Sequence, residues 1–177
     1  SEERLATPDE QEILSRYVGW GGLADCFKEE HSRYNELKSL LEPDEYAAAR
    51  ASSLTAFYTS PVIVEAMYKA LGQMGFKNGN LLEPACGVGN FIGMLPEGMT
   101  GGKAYGVELD SISGRIAQQL YQNSNIAVNG FEKVEMPDSF FDVAIGNVPF
   151  GDLRLADRKY DKHHWLIHDY FFGKTLD

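Results

Sequence analysis

Two glycines, Gly87 and Gly89, follow a short apolar run that begins at Leu81. Glycine lets the backbone turn sharply and come within contact distance of a ligand that a Cβ atom would exclude. The residues beyond the turn favour a helix, whose first backbone N–H groups have no partner within the helix. Because any connection from a strand to a helix can use glycine for close packing, this turn alone is a weak sign of a binding site.

An acidic residue lies about twenty positions beyond the glycine turn, at the end of the next apolar run. This residue is Glu108, and Asp110 follows shortly after it. In nucleotide-binding α/β folds, a carboxylate at this strand end accepts hydrogen bonds from both ribose hydroxyls. We therefore predict that Glu108 binds a ribose diol, whereas Asp110 fits the N-cap of the following helix.

The most specific segment is an apolar run from Phe140 to Ile145 that leads into Asn147-Val148-Pro149-Phe150. This ending resembles the Asp/Asn/Ser-Pro-Pro-Tyr/Phe signature of the N6-adenine class of amino methyltransferases. The order of glycine turn, acidic strand end and tetrapeptide also matches that class. Tyr58-Thr59-Ser60-Pro61 looks like the motif that precedes the glycine turn in such enzymes. The resemblance covers residues 57–150.

Four further segments are similar to one subgroup, the methylase segment of very large helicase–methylase proteins encoded by phage and conjugative elements. They read Tyr-Val-Gly-Trp-Gly-Gly, Leu-Glu-Pro-Ala-Cys-Gly-Val-Gly-Asn-Phe, Gly-Asn-Val-Pro-Phe-Gly and Ile-His-Asp-Tyr-Phe-Phe. With them the resemblance extends over nearly the whole chain. It implies methyl transfer from S-adenosylmethionine to the exocyclic N6 amino group of adenine in DNA, as part of a larger multidomain protein.

The resemblance implies a role for each residue of the tetrapeptide. The side-chain oxygen of Asn147 and the backbone carbonyl of Val148 would accept the two hydrogens of the amino group, which frees the nitrogen lone pair for attack. Phe150 would stack on the target base, worth ~1–3 kcal/mol by analogy with other base–aromatic stacks. Pro149 matches the signature. Val148 stands where proline is usual, so the carbonyl is kept but the rigidity of proline is lost.

The same resemblance implies that the other site residues bind the cofactor, S-adenosylmethionine. They would hold the methionine carboxylate end, line the methionine and ribose portion, and flank the adenine. In that order they are Tyr58, Thr59 and Pro61; then Glu83, Ala85, Gly87, Gly89 and Phe91; then Leu109 with Glu132 or its neighbour Phe131. Glu108 would take the ribose diol.

Other chemistries fit these residues less well. Cys86 lies inside the glycine turn, but no histidine is placed by the sequence to activate it, which favours a small buried thiol. The histidines between residues 163 and 168 lack the third-ligand pattern and the catalytic Glu of a zinc helix, so we expect no metal. A dinucleotide turn would need its third glycine at Ile92, and it would leave Asn147 and its neighbours unexplained.

The elements that must position these residues alternate between strands and helices. Apolar runs predict strands over residues 80–82, 103–107, 125–128 and 141–145, which indicates a parallel, doubly wound sheet. Helices are predicted from Pro8, from Pro43, from Pro61 and over residues 111–121. An amphipathic helix would pack Leu166, Ile167, Tyr170 and Phe171 on the sheet. Trp20 is expected to be a core anchor. The helix from Pro61 has an apolar stripe formed by Ile63, Ala66, Met67, Ala70 and Leu71.

We therefore expect an α/β, Rossmann-like methyltransferase fold in two parts. Residues 1–55 would form an N-terminal helical extension, and residues 56–177 a partial catalytic domain. The resemblance implies that this domain holds about four parallel strands in the order 3-2-1-4. The resemblance implies that further strands follow, so the fourth strand would lie at an open edge that favours self-association.

Composition limits where the substrate is held. The chain has 177 residues, of which 44% are hydrophobic, and a formal net charge of -10. Since nucleic-acid binders usually carry a basic face, most contacts to DNA phosphates are expected outside this segment. The sequence shows neither an apolar run long enough for a membrane span nor a signal-peptide pattern, and its two cysteines fit the cytoplasm.

Two other functions remain open. Planar amides and aromatic amines look alike to two carbonyl acceptors and a stacking ring, so the substrate could be a protein glutamine amide or RNA. Alternatively, the chain is a non-catalytic module of the same fold that binds DNA or a partner.

Overall fold

A four-stranded parallel sheet forms the centre of this computed structural model, which describes residues 4–53 and 58–177. The strands are β1 (Leu81–Glu83), β2 (Ala104–Glu108), β3 (Asn125–Val128) and β4 (Val143–Ala144), in the order β3-β2-β1-β4. All neighbouring pairs are parallel. The Rossmann-like α/β class and the strand order expected from the sequence are confirmed. The expected domain boundary at residues 55 and 56 lies outside the described residues.

The strands differ slightly from their predicted bounds. Strand β3 is as predicted, whereas β1 and β2 each begin and end one residue later. Strand β4 is shorter than predicted, since it pairs with β1 through Val143 and Ala144 alone. Backbone bonds at 2.9 Å, from Asp142 N–H to Asn80 O and from Ile145 N–H to Leu82 O, flank this short strand. It forms one edge of the sheet, and the self-association expected there stays a prediction.

Each face of the sheet is covered by helices because alternate strand residues point to opposite sides. Leu81 belongs to one core cluster, with residues of α4 (Pro61–Gln73), α5 (Asn90–Gly93) and α6 (Ser111–Leu120). Leu82 belongs to a second cluster on the other face, with Phe131 and residues of α7 (Ile167–Thr175). Burial of Ile167, Tyr170 and Phe171 in α7 confirms the amphipathic helix.

Helix α4 is rotated from the predicted orientation. Its buried residues are Val64 and Tyr68, whereas Ile63 of the predicted stripe is 53% exposed. Tyr68 can face the core because its hydroxyl donates a 2.7 Å hydrogen bond to the backbone oxygen of Phe91. Of the predicted apolar stripe, Met67 and Leu71 pack against the core, whereas Ala66 and Ala70 are exposed like Ile63. The stripe was therefore mostly wrong, because Val64 and Tyr68 take the core-facing positions.

Among the described residues, three short α-helices precede this core: α1 (Pro8–Leu14), α2 (Tyr34–Leu40) and α3 (Pro43–Ser52), with a 3-10 helix at Gly21–Phe27. Thr7 and Glu10 form a capping box at α1, which begins at Pro8 as predicted. Trp20 is 8% exposed and packs with Phe27 and Ala49, which confirms its expected place in a core. This N-terminal cluster includes Ile112 of α6, so the N-terminal segment packs directly on the helix that follows β2.

Further bonds join the N-terminal segment to α6. The side chain of Gln11 donates to the backbone oxygen of Gln119 at 2.7 Å, and Glu45 forms an ion pair with Arg115. Within residues 4–53 and 58–177, none of the helices combines the length and apolar character needed to cross a membrane.

Candidate functional site

The carboxyl ends of the four strands border one cavity of about 220 Å³. In open parallel sheets, ligands bind in this position. Ten residues predicted to form the site line this cavity. They are Tyr58, Thr59, Glu83, Ala85, Gly87, Glu108, Leu109, Glu132, Asn147 and Pro149. The structure therefore brings the glycine turn, the acidic strand end and the Asn-x-Pro segment to one place.

Five predicted site residues lie outside the cavity lining. Pro61 is exposed in the first turn of α4, and Phe91 is buried in the core cluster around α4 and α5. Gly89 is the N-cap of α5 and faces Tyr121. The side chain of Val148 packs against the opposite core cluster. Phe150 is 67% exposed and stacks on His168.

Gly87 is required by the shape of the turn. Its φ of 55° lies in the left-handed region, and a Cβ atom there would lie 2.6 Å from Cε1 of Tyr58. The hydroxyl of Tyr58 lies 3.4 Å from Oγ of Ser113 in α6. The Tyr58 ring therefore lies against the glycine turn and reaches the start of α6.

Glu108 is fixed by two backbone donors. Its Oε2 accepts a hydrogen bond from Gly87 N–H and its Oε1 accepts one from Asp110 N–H, both at 2.7 Å. Desolvation by burial outweighs these bonds and raises the pKa of Glu108 above its usual value of 4.5. Each carboxylate oxygen has more than one lone pair, so the pair can still accept bonds from a diol.

Glu83 is more deeply buried than Glu108. Its side chain is 2% exposed, and its Oε2 accepts a 3.3 Å hydrogen bond from the backbone N–H of Ile92. Burial raises the pKa of Glu83 well above 4.5. A carboxyl group in such an environment binds a proton readily, and a nearby cation would favour its charged form.

Asp110 caps α6, as predicted. Its side chain is 1% exposed and accepts bonds from the backbone N–H groups of Ile112 and Ser113, at 3.3 and 3.2 Å. The Ser113 hydroxyl also donates to it. The fourth donor is Nε1 of Trp20, at 3.2 Å.

The electrostatic character of the cavity is acidic. Four carboxyl side chains line it, from Glu83, Glu108, Asp110 and Glu132. Within the described part of the chain, its lining contains neither lysine nor arginine. Such a lining favours a ligand that carries positive charge and disfavours the pyrophosphate of a dinucleotide.

The thiol and the histidines take structural positions. Cys86 is 3% exposed, and burial raises the pKa of its thiol well above 9.0, so it is not an activated nucleophile. His168 stacks on Phe150 with ring centroids 5.6 Å apart, and His163 stacks on Trp165 at 4.2 Å. Among the described residues, no group of three or more His, Cys, Asp or Glu side chains is placed to hold a metal ion.

Sequence reasoning missed part of the cavity wall. Asn129 and Gly130 line it directly after β3, and the rule that strand ends meet at one edge could have found them. Leu153, Ile167 and Phe171 also line it, on the loop after Phe150 and on α7. That chain path could not be read from the sequence, because it depends on how α7 packs on the sheet.

Comparisons with known proteins show that this chain is similar to methyltransferases and to a phage protein named for defence against restriction. No family model matches. The chain is 30% identical, over 176 residues and 97% of its length, to the defense against restriction protein B of Escherichia phage P1. It is 34% identical over 94 residues, 53% of its length, to the type II methyltransferase M.CvrRI of Paramecium bursaria Chlorella virus XZ-6E. It spans 6% of the first relative and 24% of the second.

Solved structures with a similar fold include S-adenosylmethionine-dependent methyltransferases. A putative class I enzyme from Listeria monocytogenes has a TM-score of 0.47 and 17% identity, over 79% of this chain and 53% of that chain. Magnesium protoporphyrin IX methyltransferase from Synechocystis PCC 6803, solved with bound S-adenosylmethionine, has a TM-score of 0.40 and 15% identity, over 81% of this chain and 64% of that chain.

Proposed function

We propose that this chain binds S-adenosylmethionine and transfers its methyl group to the N6 amino group of adenine in DNA, as part of a longer protein. The observation that carries the proposal is the acid-lined cavity that joins Gly87 and Glu108 to Asn147. The cavity matches the cofactor in charge, and the Asn-x-Pro-aromatic segment matches the target.

The residues present fit S-adenosylmethionine better than a dinucleotide. The cofactor carries a sulfonium and an ammonium against one carboxylate, so it is a net cation. Glu83 and Glu132 would attract the positive groups, and the pKa of Glu83, raised by burial, would fall as a cation arrives. Glu108 would accept the ribose diol while Gly87 N–H and Asp110 N–H hold its two oxygens.

When bound, the cofactor supplies an electrophilic methyl group on sulfur. The chain's part is to place and activate the amino group that attacks it. Asn147 Oδ1 and the backbone oxygen of Val148 would accept the two amino hydrogens, which concentrates the lone pair on nitrogen. The cofactor would give up its methyl group to the nitrogen and leave as the neutral thioether, while the amino proton would pass to water. Alignment of these atoms supplies much of the rate.

Phe150 would hold the target base. Its side chain is 67% exposed, and its ring lies parallel to within 26° on His168. An exposed aromatic ring with a supported orientation offers a face on which a flipped base can stack, which offsets part of the few kcal/mol of base extrusion.

The similar proteins support the class of reaction. One relative is named as a type II methyltransferase, and the other as a defence against restriction protein. Both names fit the chemistry of DNA modification. Since the chain spans a small part of each relative, target recognition and most phosphate contacts are assigned to the rest of such a protein.

Methylation of a planar amide in a protein is the second candidate. The formal net charge of -10 favours it, because a phosphate backbone is repelled by an acidic surface. Asn147 and Phe150 would act on a glutamine amide in the same way as on an aromatic amine.

A labelled transfer assay separates the candidates. The folded chain is incubated with S-adenosylmethionine carrying a tritiated methyl group and, in parallel, with adenine-containing single-stranded and duplex DNA, the matching RNA, and a glutamine-containing peptide. We expect label in DNA, recovered as N6-methyladenine. Label in RNA or peptide alone, or in none of the substrates, contradicts the proposal.

A further inference from the structure

A hydrogen bond joins the N-terminal helical segment to the acidic strand end across 90 positions of the chain. The indole Nε1 of Trp20 donates to Oδ2 of Asp110 at 3.2 Å, in a buried environment. The backbone N–H of Asp110 in turn donates to Oε1 of Glu108 at 2.7 Å. Trp20 is therefore linked to Glu108 through one intervening residue.

The bond from Trp20 has a physical purpose at Asp110. A buried carboxylate is costly unless donors satisfy its oxygens. Three of its donors belong to Ile112 and Ser113, on the first turn of α6. The indole N–H comes from outside that turn, so it fixes where Asp110 and its backbone lie relative to the N-terminal cluster.

A second contact joins the same two regions. Gly19 has a φ of 73°, and a Cβ atom there would overlap the Tyr58 ring. A Cβ atom at Gly87 would contact the opposite edge of the same ring too closely, at Cε1. The turn before Trp20, the Tyr58 ring and the glycine turn are thus in direct contact.

Residues of α3 complete this arrangement. Ala51 and Ser52 line the same cavity as Glu108. The N-terminal segment therefore lines part of the cavity and also contacts the residues that form the site.

We propose that Trp20 is a positioning residue for the ribose-binding carboxylate: through Asp110 it sets the direction of Glu108. This inference rests on the proposed function, since it assumes that Glu108 binds the ribose diol of S-adenosylmethionine. It gives the Tyr-Val-Gly-Trp-Gly-Gly segment a task at the site, in addition to core packing.

Packing alone is the rival explanation. Trp20 makes edge contacts with the rings of Tyr17 and Phe27, at centroid distances of 6.2 and 5.8 Å. Trp20→Phe keeps an aromatic ring at this place but removes the N–H donor. If Trp20 only packs, Trp20→Phe should weaken the binding of all ligands equally. If Trp20 is a positioning residue, the substitution should weaken specifically the binding that depends on the ribose hydroxyls.

The test measures ribose discrimination by calorimetry. Titrations of S-adenosylhomocysteine and its 2′,3′-dideoxy analogue give the ratio of their dissociation constants for the wild type, Trp20→Phe and the matched control Trp165→Phe. Trp165 packs on His163 and Tyr160 and does not line the cavity that contains Glu108. We expect the wild type and Trp165→Phe to bind the ligand with the diol at least tenfold more tightly than the dideoxy analogue. For Trp20→Phe, we expect this ratio to be at most one third of the wild-type ratio.

The outcomes are distinct. A full discrimination ratio in Trp20→Phe, whether or not both ligands bind more weakly, overturns the positioning role while leaving the proposed function intact. Failure of the folded wild type to bind S-adenosylhomocysteine overturns the proposed function and the inference with it. Binding without discrimination overturns the role of Glu108, and therefore that of Trp20.

Two further variants keep the test decisive. If Trp20→Phe does not fold, Asp110→Asn replaces it, because Asn caps a helix as well as Asp does but binds the indole N–H less strongly. Coupling is measured with Glu108→Gln: if Trp20 acts through Glu108, adding Trp20→Phe to Glu108→Gln changes the ratio less than twofold. Independent effects in this double-mutant cycle contradict the proposal.

Discussion

The two ends of the cavity are built differently. At the cofactor end, Glu83 and Asp110 are 2% and 1% exposed, and backbone N–H groups hold their carboxyl oxygens. At the target end, Asn147 is exposed, and Phe150, which lies outside the cavity lining, is 67% exposed. A preformed, desolvated site suits a small charged ligand, whereas an open one suits a base that arrives from outside. We therefore expect the cofactor end to determine cofactor binding and the target end to determine methyl transfer. Variants at the two ends should change these two quantities separately.

The largest effect is expected at Asn147. Asn147→Ala removes one acceptor of the proposed amino-group hydrogens, and loss of one such oriented group costs about 10²–10³ in kcat. Cofactor affinity should change less than twofold, because the cofactor end is untouched. Single-turnover methyl transfer and calorimetry measure the two quantities, with the exposed Asn123→Ala as the matched control. Equal losses in rate and cofactor affinity would erase the distinction between the ends.

A smaller effect is expected at Phe150. Phe150→Ala should raise KM for the methyl-accepting DNA about tenfold, since base stacking is worth ~1–3 kcal/mol. Phe150→Tyr should retain the wild-type value because the ring is kept. Phe172→Ala is the control, since Phe172 is also an exposed phenylalanine, on α7. An unchanged KM in Phe150→Ala would show that this ring does not touch the substrate.

The smallest effect concerns stability at the cofactor end. Burial raises the pKa of Glu83 above 4.5. The protonated carboxyl therefore stabilises the folded state fully below pH 4.5, and this stabilisation is lost as the pH rises through the folded-state pKa. Glu83→Gln carries no charge to bury, so its Tm should exceed that of the wild type by about 2–4 °C for each kcal/mol gained. The gap should widen from pH 6 to pH 8.

Thermal unfolding without ligand, at a series of pH values, measures this gap. Glu97→Gln, at an exposed position, should leave Tm unchanged at every pH. The same Glu83→Gln change should weaken binding of S-adenosylmethionine, which would show stability given up for function. A wild type that is more stable than Glu83→Gln at pH 8 would mean that Glu83 is a structural residue.

The family resemblance predicted the strand order. The meeting of Gly87, Glu108 and Asn147 was predictable because the carboxyl ends of parallel strands share one edge. It also predicted the Asp110 cap, which depends on local backbone alone. It did not predict that Phe91 would turn into the core, or that Leu153 and Phe171 would close the cavity. Those placements depend on helix orientation and on packing between distant residues. The bond between Trp20 and Asp110 is of the same kind.

In the proposed function, the acid-lined end of the cavity binds S-adenosylmethionine through Glu108. Calorimetric titration of S-adenosylmethionine and S-adenosylhomocysteine into the wild type and Glu108→Ala tests it most directly. Saturable binding that Glu108→Ala weakens at least tenfold, about 1.4 kcal/mol, is the predicted result. No binding to the folded wild type, or equal affinity in Glu108→Ala, would contradict the account.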